Sequence, residues 1–86
     1  MFSFVNMEEK TRRIKMIWDF RGEDGHQTAI HHEIHLKEFV IKENIPSTET
    51  GVEQISEFHS SAFLVLDEPF MKIVRDALLP HRGELA

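Results

Sequence analysis

Six histidines occur in this 86-residue chain, and four of them, His26, His31, His32 and His35, fall within ten consecutive positions. Imidazole titrates at about pH 6.5 and offers either a lone pair or a proton, so this concentration points to metal ligation, small-ligand binding or acid–base work. At about 100° per residue on a helix, His31, His35 and His32 share one arc of about 100°, and Glu38 and Lys42 continue that side. His31 and His35, at i and i+4, can reach one ion, and divalent nickel or zinc suits such nitrogen donors. A single helix does not easily aim three imidazoles at one ion. His59 therefore completes the candidate metal set, with Asp19, His81 and Glu38 as further donors. The run His31-His32-Glu33-Ile34-His35 is not the zinc-protease pattern H-E-x-x-H, because Glu33 stands two positions after His31 rather than one.

Acid–base chemistry needs an imidazole beside an orienting carboxylate, and the candidates are His32 or His59 paired with Asp19. For an organic ligand, Trp18 could supply an apolar wall and Arg82 a clamp on an anionic group. Each reading has a plainer counterpart. The histidines can form a solvated or partner-covered helix face, Trp18, Phe58 and Phe63 can be core, and Arg82, just past a helix end, can cap the orphan carbonyls. Phosphate-cradling glycine patterns are absent, and Ser60 and Ser61 lack the context of a hydrolase nucleophile.

Composition narrows the classes further. A chain of this size is one domain that buries only about 60 to 65% of its unfolded surface, so its core is small. With no cysteine there is neither a disulfide nor a thiolate metal site to supplement it, which makes a homodimer the first expectation. The absence of thiols fits a reducing compartment. A net charge of -5 provides no broad positive face for phosphates, so nucleic acid is not an expected partner. The longest apolar run, Ala62-Phe63-Leu64-Val65-Leu66, is too short to span a bilayer, and the first residues lack the basic start of a signal peptide. A soluble, cytoplasmic protein without a membrane partner is expected.

Residues 1–11 show no periodicity and read as a flexible N-terminal arm, leaving 12–86 as the folded domain. Ile14, Met16, Trp18 and Phe20 alternate with Lys15, Ile17 and Asp19, the period-2 signature of a strand with one buried face. After a loop at 21–25, Asp24 can cap a helix reaching about Asn44, with Ala29, Ile30, Ile34, Leu36, Val40, Ile41 and Ile45 toward the core. Phe39 falls on the histidine side, which implies that part of that side is covered. Residues 52–59 and 62–66 read as a hairpin turning at Ser60-Ser61, its second strand central. Asp67 and Pro69 then open a second helix that buries Phe70, Ile73, Val74 and Ala77 and ends by Pro80. The last six residues are a loop or a short edge strand.

The order is α+β, a ferredoxin-like split βαββα sandwich. Over about 14–84 it resembles the dimeric α/β barrel superfamily, which includes muconolactone isomerases, YciI-related proteins and small nickel-binding proteins. Two local echoes accompany the element order: His35-Leu36 inside the first helix and Leu66-Asp67-Glu68 entering the second. The later His-Asp and Gly-Pro features of that group are missing. The resemblance implies a dimer in which two sheets join as a barrel, and isomerase-like chemistry on a small molecule as an alternative to simple binding.

Overall fold

A computed structural model of the protein describes residues 12–86. The N-terminal arm expected at 1–11 lies outside the described residues. The elements run β1 (Arg13–Arg21), α1 (Gly25–Lys42), β2 (Glu49–Ser56), β3 (His59–Asp67), a 3-10 turn (Glu68–Phe70), α2 (Met71–Leu78) and β4 (Arg82–Leu85). The strands form one antiparallel sheet in the order β2-β3-β1-β4. This is an α+β architecture compatible with the ferredoxin-like topology, and the short terminal edge strand completes it.

Alternation along β1 creates the core. Ile14, Met16 and Trp18 point to one face, where they meet Ala62, Leu64 and Leu66 of β3 and Ala29, Leu36 and Val40 of α1. Phe70, Met71, Val74 and Leu78 bring the second helical segment onto that same face. Among the described residues no helix lies on the other face of the sheet. Ile17 and Val65 on it are nonetheless only 3% and 7% exposed, so β1 is buried on both sides at its middle. Ile17 stands between Phe63 and Arg82 in register, which accounts for its cover.

Several local expectations shift. The hairpin turns at Glu57 and Phe58, and Ser60 and Ser61 are fully buried inside β3 rather than forming the turn. Their small side chains fit where β3 is covered on both faces. Along α1 the buried stripe is Gly25, Ala29, Leu36 and Val40, whereas Ile34 and Ile41 are 48% and 75% exposed. The stripe is rotated toward His32 and Phe39, which is why Phe39 is half-buried. On α2, Ile73 and Ala77 face outward, because the helix docks through Val74 with Met71 and Leu78. Asp24 occupies the N-cap position of α1 without a side-chain cap. Its backbone oxygen instead receives Thr28 N–H and Oγ1–H, each at 2.9 Å.

The start of α1 abuts β1 closely. A β-carbon on Gly25 would lie 2.7 Å from the Phe20 carbonyl oxygen, a backbone atom that cannot swing aside. Gly25→Ala is expected to destabilise the fold by about 1–3 kcal/mol, read from urea unfolding midpoints at constant m-value.

Candidate functional site

The residues with the most concerted chemistry converge on Asp19, on the helix-free face toward the end of β1 that lies beside the β2–β3 turn. Strand register explains the convergence: Ser61 stands directly opposite Asp19 on β3, while His59 on β3 and Arg82 on β4 are its diagonal neighbours. Their donors close on one carboxylate. His59 Nε2 lies 2.9 Å from Oδ1, Ser61 Oγ donates to Oδ1 at 2.9 Å, and Arg82 donates from Nε to Oδ2 at 3.0 Å and from Nη2 to Oδ1 at 3.3 Å. The Asp19 and His59 side chains are only 16% and 15% exposed. The Arg82 guanidinium first, then His59 and Ser61, hold the Asp19 carboxyl well below the usual carboxylate range against the opposing pull of burial. Asp19 is therefore ionised at any physiological pH.

The backbone of Asp19 is engaged as well. Its N–H donates to Nδ1 of His81 at 2.7 Å, while the His81 N–H donates to the Ile17 carbonyl at 2.9 Å. The His81 ring thus takes the place of a strand carbonyl where β4 begins, with Nδ1 as the acceptor. Glu84 adds a second carboxylate to Arg82 at 3.4 Å. Across the same face Lys15 Nζ sits 4.5 Å from the centre of the Phe63 ring and 3.4 Å from Glu53.

The sequence candidates separate into two places. His59 and Asp19, expected as an acid–base pair, are brought together. Arg82 clamps an anionic group, but the anion is the chain's own Asp19, and it caps no helix. Trp18 is core: it is 3% exposed, and its Nε1 donates to the Leu78 carbonyl at 2.7 Å. His32 does not meet Asp19, since it packs on the helix side between Trp18 and Phe20, with ring centroids 4.9 and 5.4 Å away. Burial, then the neighbouring His35 and His81, lowers its proton affinity, and its Nε2 is buried without a hydrogen-bond partner among the described residues.

The expected metal set is not assembled within the chain. His31 and His35 are exposed on α1, where His35 lies 3.4 Å from Glu38, while His59 points to the opposite side of the sheet. Among the described residues no group of three or more His, Asp or Glu side chains is placed to hold a metal ion. The two serines are not nucleophiles. Ser61 and His59 both address the same oxygen of Asp19, so no histidine stands between serine and carboxylate, and Ser60, 3.0 Å from His26 Nδ1, is 1% exposed.

The sequence reading did not assign Ser61 and Arg82 as partners of Asp19, or the His81 ring as a backbone acceptor. The signal for the first two is parity, available once β1 is aligned with both neighbours. The third depends on where β4 starts. The chain matches no protein-family model, no curated protein and no solved structure. What the fold and site define is a small α+β domain with a half-buried aspartate–histidine pair, clamped by an exposed arginine, on the open face of its sheet.

Two pH dependences follow. A folded carboxylate with lowered proton affinity contributes stability above the unfolded value of about pH 4, lost as acid is taken down through the folded value. Asp19→Asn should therefore be less stable than wild type at pH 7, with the gap closing below about pH 4 in urea titrations. His32 acts in the same direction for a different reason: burial disfavours its charged form, the unfolded chain takes up its proton first, and stability falls as pH drops below about 6.5. His32→Phe should flatten that decline.

Proposed function

We propose that the protein is an acid–base or binding protein for a small polar molecule, working on the helix-free face of its sheet with His59 as the proton-accepting group. The observation that carries this reading is the 2.9 Å contact of His59 Nε2 with the ionised Asp19. That contact uses Nε2 as donor to the carboxylate and turns Nδ1 away from Asp19. Nδ1 has no hydrogen-bond partner among the described residues and is not buried, so it is available to a ligand. Asp19 orients the ring and offsets the charge of the imidazolium that forms when a proton is taken. Nickel or zinc binding through His31 and His35 is the less supported reading, because among the described residues no third donor stands with them.

A homodimer completes the proposal. On the helix-free face Phe63 is the partly exposed apolar side chain, beside Ile17 and Val65, which are already buried in the single chain, and Arg13, Lys15, Glu53, Asp67 and Arg82 surround it. Two such faces apposed would enclose the Asp19–His59 centre, as the resemblance to dimeric barrels implies. Among the described residues no helix is long and apolar enough to cross a membrane, and we infer a cytoplasmic setting from the cysteine-free composition.

Sedimentation tests the assembly: wild type should run at twice the 10.1 kDa chain mass, and Phe63→Glu, which places a charge at the centre of the face, should run as a monomer. A monomeric wild type at all concentrations sinks the dimer. For the site, small hydroxy- and keto-carboxylates are screened by amide shift perturbation. Shifts at Asp19, Ser61 and Phe63 that disappear in His59→Gln support the reading, and a panel that leaves this face unmoved while perturbing α1 transfers the function to the histidine helix.

A further inference from the structure

We propose that Arg82 is a positioning residue that keeps His59 available as a base, so that the four-residue strand at the chain's end is part of the working site. This rests on the reading of the Asp19–His59 centre given above. An aspartate at hydrogen-bond distance from an imidazole, acting alone, favours the imidazolium, and a permanently protonated ring accepts nothing. The helix-free face supplies the counterweight. Arg82 spans both oxygens of Asp19, at 3.0 and 3.3 Å, and one of these is the oxygen that His59 addresses. The guanidinium cannot lose its proton, so it neutralises the carboxylate at every working pH. Asp19 then orients the ring without trapping a proton on it.

Geometry and charge act together here. Asp19 Oδ1 receives His59, Ser61 and Arg82 at once, so the carboxylate cannot rotate without breaking several bonds. Of the other charged groups on this face, the two glutamates are committed elsewhere, and Arg21 is the direct cross-strand neighbour of His59. Glu53 is paired with Lys15 at 3.4 Å, and Glu84 approaches Arg82 rather than His59. Arg21 lies at the exposed end of β1. Arg82 itself is held in place by its neighbour, since the His81 ring and backbone fix the start of β4 to Asp19 and Ile17.

The test needs no substrate. Diethyl pyrocarbonate acylates only unprotonated imidazole, and peptide mass mapping reports each histidine separately. At pH 7 the rate at His59 should fall about threefold or more in Arg82→Met relative to wild type. Arg82→Lys, which keeps the charge, should restore most of the rate, and Arg82→Gln, which keeps donors without charge, should not. His31 and His35, exposed on α1, serve as internal standards whose rates stay level. An unchanged rate at His59 in both Arg82→Met and Arg82→Gln overturns the proposal, as does an increase. Should Arg82→Met fail to fold, Arg82→Gln against Arg82→Lys decides alone. If His59 modification responds as described but no ligand ever perturbs the face, Arg82 still tunes the imidazole and only the functional reading falls.

Discussion

Nine in-register pairs between β1 and β3 are the constraint on which the rest of this structure depends. Because neighbouring residues of a strand face opposite ways, that register sends Trp18 and Phe20 into the helical core and Asp19 out to the open face. Three consecutive residues thereby serve two chemistries. Trp18 ties β1 to the end of α2 through its indole N–H, while Asp19 gathers donors from β3 and β4. A slip of one residue would bury the carboxylate among Leu36, Leu64 and Val74 and expose the indole. Few positions in so small a core leave less room for error.

The open face is stabilised by compensation rather than by burial of apolar surface alone. Desolvating Asp19 is unfavourable, and the four donors reaching it are what make its position tolerable. The pattern repeats at lower intensity: Arg13 meets Asp67 at 2.9 Å and the Ser47 carbonyl at 2.7 Å, and Lys15 meets Glu53. Positive and negative groups alternate, so this side of the sheet projects no strong field of one sign. Its electrostatics is local and positional, suited to holding one group in one orientation rather than to drawing a charged partner from a distance.

Much of the fold was legible because its strongest signals are periodic. The alternation from Ile14 to Phe20, the apolar run at 62–66 and the proline near the start of the second helix each map to an element in the expected place. What failed is instructive. Helical periodicity alone could not say which flank of α1 turns inward. Ile30, Ile34 and Ile41 look like core beside Leu36, yet the sheet draws in the side that carries His32 and Phe39. The same ambiguity misled the reading of the histidines: four clustered imidazoles are conspicuous in sequence, but His31 and His35 are splayed to solvent. The pair that meets, Asp19 with His59, is forty residues apart, and only strand register joins it.

An edge of the sheet sets a limit on how copies of this chain can combine. β2 lies at one edge of the sheet among the described residues, but its register shifts between Gln54 and Ser56, and Glu49, Glu53 and Glu57 lie along the strand and its turn. At the other edge β4 stops after four residues. Two β2 edges brought side by side would set carboxylates against carboxylates across a kinked ladder. Growth of one sheet into the next is thus disfavoured along β2, which leaves the faces of the sheet rather than this edge as the place for copies to meet.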